Sequence, residues 1–182
     1  MNIFCKDKKL NLSSYYFRPG FSFGGSCLPK DVRGINNLAK VNNIETPILN
    51  SIIKSNDIHL ERYLNFIKKS KYKKLGFLGL TFKKGTDDIR ENKVLDIIKY
   101  FSKLDDYDIY CFDSILSMKE INNLNFKINY CDNLDQLLNN CNLVVFSSIS
   151  DSEKEMLLNS KLNFLDLNNI LSRDLRQRHS LV

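Results

Sequence analysis

From residue 74 onward the chain alternates short apolar runs with stretches of helical periodicity, and this alternation restricts the fold more than any other feature. Successive parallel strands need a long crossover, usually a helix, so such a pattern points to an α/β domain built on a parallel sheet. The expected strands are residues 75–80, 108–112, a weaker one at 128–130, then 143–146 and 163–167. Helices are expected over residues 92–104, 117–124, 134–140 and 151–158, each with apolar residues three or four apart.

Residues 1–73 read differently. The string Tyr15-Tyr16-Phe17-Arg18-Pro19-Gly20-Phe21-Ser22-Phe23-Gly24-Gly25-Ser26-Cys27 is aromatic and glycine-rich, as in a shaped loop. Pro29 suits the first position of a short helix running to about Lys40, because its missing N–H would be unpaired there anyway. Cys27 then lies just before a helix N-terminus. Thr46-Pro47 repeats the start signal, and Leu49, Ile52, Ile53, Leu60, Tyr63, Leu64 and Ile67 follow at helical spacing, with Asn56 interrupting the stripe. A helix over residues 47–70 has more apolar face than this segment can cover, which predicts packing against a partner subunit in a homodimer. The expected division is a cysteine loop with a central helical segment (1–73) and an α/β domain (74–182).

Bulk properties narrow the function classes. At 182 residues and 43% apolar content the chain can bury a normal core. No apolar run approaches the roughly 20 residues that span a bilayer, and the first residues lack a signal-peptide stretch, so a cytoplasmic location with no membrane association is expected. The five cysteines form no CxxC, and His59 and His179 stand alone, which argues against a metal site. The net charge of +6 is spread among 21 acids, and the one dense cluster, Lys68, Lys69, Lys71, Lys73 and Lys74, suits the negative end of a helix. Nucleic-acid binding is not expected.

A thiol beside a helix N-terminus feels the partial charge of unpaired N–H groups, which favours thiolate and makes Cys27 a candidate nucleophile. The competing reading is a small buried apolar residue, and Gly24 and Gly25 could equally serve close approach of a substrate. The string Phe23-Gly24-Gly25-Ser26-Cys27-Leu28-Pro29-Lys30-Asp31 resembles the active-site motif of the UDP-glucose and GDP-mannose dehydrogenases. The upstream run from Leu12 to Phe21 looks more like the GDP-mannose branch than the UDP-glucose branch. Gly79-Leu80-Thr81-Phe82-Lys83-Lys84-Gly85-Thr86-Asp87-Asp88-Ile89-Arg90-Glu91 is similar to the loop after the first strand of the family's C-terminal domain.

The resemblance implies central dimerisation helices followed by a Rossmann-like nucleotide-sugar-binding domain. It also implies an NAD-dependent oxidation of the sugar C6 hydroxyl in two steps, through a thioester on Cys27, with Asp31 assisting the proton and water steps. An acid in the first helical turn can equally serve the helix dipole alone. By the same match Tyr15, Tyr16, Arg18, Phe21 and Gly24 would bind the nucleotide sugar, the first three in the neighbouring subunit's site, with the aromatics otherwise packing on the core. Lys83 would contact the substrate, while Lys30 and Arg90 would reach NAD. The chain departs from the family in having no GxGxxG, the turn that holds a dinucleotide pyrophosphate. By itself it is therefore expected to be inactive: a truncated product, a split enzyme whose NAD-binding half is a separate chain, or a remnant that binds nucleotide sugar without turnover.

Overall fold

The computed structural model describes residues 3, 6, 7, 9, 20–81 and 85–171, the side chain of residue 122 excepted. Two helices come first, α1 (Leu28–Val41) and α2 (Pro47–Lys69). The α/β region follows as β1 (Lys74–Leu78), α3 (Lys93–Phe101), β2 (Asp108–Phe112), α4 (Met118–Asn122), β3 (Asn129–Tyr130), α5 (Leu134–Asn140), β4 (Leu143–Phe146), α6 (Asp151–Asn159) and β5 (Asn163–Asp166). The five strands form one sheet in the order β3-β2-β1-β4-β5, and every pairing is parallel. This is the doubly wound order, in which the strand sequence reverses beside β1 and leaves a crevice at the carboxyl ends of β1 and β4.

Local chemistry explains the boundaries. The side chains of Asn92, Ser117, Asn133 and Ser150 each accept a backbone N–H at a helix N-terminus, and Ser117 and Ser150 complete reciprocal capping boxes with Glu120 and Glu153. β1 ends two residues earlier than the apolar run suggests because Gly79 turns to φ +78°. A Cβ there would lie 2.7 Å from the Ser148 carbonyl oxygen, so the chain after β1 can pass the chain after β4 only as glycine. β1 and β4 are apolar on both faces because helices cover the sheet on each side, and they divide the core in two. One cluster holds Phe77, Ile97, Phe101, Ile109 and Val145, and the other holds Leu78, Leu137, Val144, Phe146 and Leu157.

Helix α2 packs in part on the chain's own α/β domain. Ile67 is fully buried in the first core cluster, and Leu60, Tyr63, Leu64 and Phe66 pack against that cluster, so the chain's own α/β domain takes up much of the stripe. Large exposed apolar side chains remain on α1, the turn after it and α2: Leu28, Ile35, Leu38, Val41, Ile44, Ile48 and Ile58. No helix among the described residues is long and apolar enough to cross a membrane.

Phe77 on β1 is fully buried at the centre of the first cluster. Phe77→Ala should cost about 3–5 kcal/mol of unfolding free energy, measured by urea denaturation.

Candidate active site

The loop of residues 20–27 is held in place by side chains that substitute for secondary structure. Asn56, buried in the middle of α2, accepts the Phe23 N–H on Oδ1 at 2.8 Å and donates Nδ2 to the Phe23 carbonyl at 2.8 Å. Ser22 Oγ donates to the Asn56 carbonyl at 3.1 Å. One residue earlier the Phe21 N–H donates to Asn168 Oδ1 at 2.8 Å, and Asn168 Nδ2 donates to the Ser147 carbonyl beyond β4. The Phe21 ring meets Tyr63 edge-on at 5.0 Å. Helix α2 and the carboxyl end of the sheet thus grip the loop from two sides.

A third grip comes from the connection between β1 and α3. A Cβ on Gly24 would sit 2.2 Å from the Glu91 carbonyl oxygen, and the same oxygen accepts the Gly25 N–H at 3.4 Å. The missing side chain at Gly24 therefore makes room for the protein's own backbone, and Gly25, at φ +84°, turns the chain toward Cys27. The carboxylate of Glu91 forms a forked ion pair with Arg33 on α1, one arm of which is Arg33 Nη1 to Oε2 at 3.0 Å. This pairing holds the Glu91 carboxyl below its ordinary range and the Arg33 guanidinium above its own.

Cys27 occupies the N-cap position of α1 and its thiol is exposed, with Sγ 3.7 Å from Ser26 Oγ. The other described cysteines are buried. Burial pushes the thiols of Cys111, Cys131 and Cys141 upward, that of Cys141 to about 12, which leaves them protonated and inert. Asp31 lies one turn beyond Cys27 on the same helix, its N–H donating to the Cys27 carbonyl at 2.9 Å. Its side chain is 61% exposed and faces Lys30 Nζ at 3.5 Å. Arg90 is gripped by Asp88 through Nε and Nη2, both at 2.9 Å, which raises its pKa; the charge of Cys27 acts on it more weakly in the same direction. Among the described residues no group of His, Cys, Asp and Glu could hold a metal ion.

The structure thus brings Phe21, Gly24, Cys27, Lys30, Asp31 and Arg90 to one join between α1 and the end of the sheet. Tyr15, Tyr16, Arg18 and Lys83 lie outside the described residues. Two cavities open here. One of about 180 Å3 lies between Phe21, Phe23 and Leu28 on one side and Lys93, Ser147 and Asn168 on the other. Another of about 220 Å3 lies at the carboxyl ends of β1, β2 and β4, against Gly79, Asp113, Ile115, Ser148 and Glu153. Asp113 itself accepts the N–H groups of Leu80, Ile115 and Leu116 at 2.6–3.0 Å, so it shapes the crevice wall. A larger cavity of about 590 Å3 lies by Lys40 and Asn50, at the opposite end of α1 from Cys27, and is too distant to share its chemistry.

Residues 76–173 match the UDP binding domain of the UDP-glucose/GDP-mannose dehydrogenase family, and residues 1–58 match the central domain of the same family. The chain belongs to that family. It is 35% identical over 158 residues to GDP-mannose 6-dehydrogenase of Pseudomonas savastanoi pv. phaseolicola, an alignment covering 81% of this chain and 36% of that protein. UDP-glucose 6-dehydrogenase of Rickettsia felis is 33% identical over 142 residues, 73% of this chain and 31% of that one. Among solved structures, GDP-mannose dehydrogenase of Pseudomonas aeruginosa superposes with a TM-score of 0.74 at 30% identity, covering 92% of this chain and 41% of the other. The UDP-glucose dehydrogenase of Pyrobaculum islandicum shares the fold with a TM-score of 0.75 at 21% identity, over 97% of this chain and 40% of that one. The chain therefore spans about two fifths or less of the length of these relatives.

Sequence reasoning missed Asn56, Asn168, Arg33 and Glu91 as supports of the site. Only Asn56 left a signal, as the polar break in an apolar stripe. Gly24→Ala should lower stability by about 1–3 kcal/mol, because its Cβ would strike backbone that cannot rotate away. Gly34→Ala, on open α1 surface with nothing within 4 Å, should raise it by about 0.5–1 kcal/mol. Urea melts of both variants check the contrast. Native alkylation followed by peptide mapping should modify Cys27 while Cys111, Cys131 and Cys141 react only on unfolding.

Proposed function

We propose that this chain is the cysteine-bearing, nucleotide-sugar-holding part of an NAD-dependent nucleotide-sugar 6-dehydrogenase of the GDP-mannose type. The observation that carries the reading is the position of Cys27. It is the exposed thiol among the described cysteines, it heads α1, and the loop that bears it is fixed against the carboxyl end of a sheet whose sequence matches the family's UDP binding domain. GDP-mannose 6-dehydrogenases among the relatives support the choice of sugar nucleotide, and UDP-glucose is the alternative substrate.

The chain's own chemistry follows from that placement. The Cys27 thiolate adds to the C6 aldehyde of the sugar, forming a C–S bond while the carbonyl oxygen takes up a proton. At the thioester stage water attacks the same carbon, the C–S bond breaks, and the sugar leaves as a carboxylate. Asp31, one helical turn from Cys27 and open to solvent, serves the proton and water transfers. The nucleotide sugar takes the crevice at the carboxyl ends of β1 and β4, with Phe21 and Gly24 shaping its approach and Tyr15, Tyr16, Arg18 and Lys83 as further contacts. Arg18 suits a diphosphate because its planar fork pairs with two oxygens.

The two oxidations need a dinucleotide as hydride acceptor, and the described residues make no cradle for one. The connection after β1 runs from Gly79 to Asn92 before α3 begins, in place of the tight glycine turn that holds a pyrophosphate, and Gly79 faces the Ser148 carbonyl. The dinucleotide-binding half is a second segment or a second chain, met from this side by Lys30 and Arg90, in a dimer in the cytoplasm. A second reading, a nucleotide-sugar-binding piece without turnover, is supported by the match of residues 76–173 to the family's UDP binding domain.

Fusing the NAD-binding half of a GDP-mannose 6-dehydrogenase ahead of this chain tests both readings. GDP-mannose-dependent NADH production is expected, lost in Cys27→Ser and reduced roughly 100-fold in Asp31→Asn. A folded fusion that binds GDP-mannose and NAD yet makes no NADH would leave the binding reading, and calorimetry without GDP-mannose binding would remove that one too.

A further inference from the structure

Helix α1 presents an apolar side that the rest of the described chain leaves open. Ile35, Leu38 and Val41, three residues apart, are 50%, 63% and 71% exposed, and Gly34 falls on the same side, one turn before Leu38 and two before Val41. Gly34 has ordinary helical backbone, and a Cβ there would meet no described atom within 4 Å. Neither its own conformation nor packing within the described chain calls for glycine, the poorest helix former after proline. What glycine offers beside large exposed apolar side chains is a notch, where a second backbone can come close.

We propose that Gly34, Ile35, Leu38 and Val41 are the docking surface for the dinucleotide-binding half, which lays an apolar helix across α1 with its backbone nearest Gly34. The inference rests on the function proposed above. Three observations choose this occupant. The surface lies within residues 1–58, which match the central domain of the family, and this chain spans only 36% of one GDP-mannose 6-dehydrogenase and 41% of the GDP-mannose dehydrogenase structure. Gly34 is roughly 10 Å along the helix from Cys27, so a body seated there also reaches the cysteine end, where the hydride acceptor is needed. A second copy of this chain fits poorly. Two α1 helices crossing at Gly34 would set Asp31 of one copy against Leu38 of the other if antiparallel, and against the other Asp31 if parallel. Either arrangement leaves a carboxylate, 61% exposed in the free chain, with no donor facing it.

The test reads docking by amide hydrogen exchange, without turnover, so its outcome is separate from NADH production. The chain alone is compared with its fusion to the NAD-binding half of a GDP-mannose 6-dehydrogenase, shown to be folded by binding NAD. Exchange over residues 34–41 should slow about tenfold or more in the fusion, while exchange over α5 changes less than about twofold. Gly34→Gln fills the notch with a better helix former. It should raise the urea midpoint of the chain alone and yet remove at least half of the protection in the fusion. Leu38→Gln should remove protection in the same way, whereas Met118→Gln, which trims an exposed apolar side chain on α4, should leave it intact. A fusion that protects α1 but makes no NADH would sink the functional reading and uphold the docking surface. Exchange over 34–41 as fast in an NAD-binding fusion as in the chain alone overturns the proposal, as does protection that survives Gly34→Gln and Leu38→Gln. So does slow exchange already present in the chain alone: if it depends on concentration the occupant is a second copy, and if it does not the occupant is another segment of this chain.

Discussion

A single buried amide organises the working part of this protein. Asn56 offers Phe23 one acceptor and one donor, both at 2.8 Å, which is what a neighbouring strand would offer an extended residue. The loop around it has no strand to pair with, and backbone groups left without partners in a half-buried place would each cost about 1–3 kcal/mol. By meeting that need from the middle of a long helix, the amide lets an irregular segment hold a fixed shape. The other supports act on a loop already shaped this way: Asn168 ties Phe21 to the end of the sheet, and the Glu91 carbonyl closes over Gly24.

Much of the fold could be read from the sequence because the α/β region obeys simple periodicities. The strands at 108–112 and 143–146 and the helix at 134–140 fall where apolar spacing puts them. Misjudged ends come from tertiary effects, as at Gly79, where the strand stops so that one backbone can cross another. What lies against α2 within the chain was not legible, for a related reason. Periodicity reveals that a helix has an apolar face, yet it cannot say that Tyr63 and Leu64 rest on a sheet that begins several residues later in the same chain.

The candidate site was legible in part. Cys27 and Asp31 stood out through helix-start chemistry and through a motif long enough to be specific. Their supports did not, since Arg33 and Glu91 are 58 residues apart and each resembles an ordinary surface charge until the fold joins them. Asn168 lies 147 residues from Phe21, and no local pattern could pair the two. Sequence thus singles out candidate chemical groups more readily than the groups that hold them in place.

The distribution of sulfur has a consequence for how such a molecule ages. Cys111 and Cys141 sit within the layers of the sheet, protonated and shielded, whereas Cys27 stands in solvent at the head of a helix. Peroxide reaches accessible sulfur first, so among the described cysteines oxidation would convert Cys27 to a sulfenic acid before it touched the interior. A sample left in air would keep its spectrum and its melting curve while losing the thiol at the head of α1.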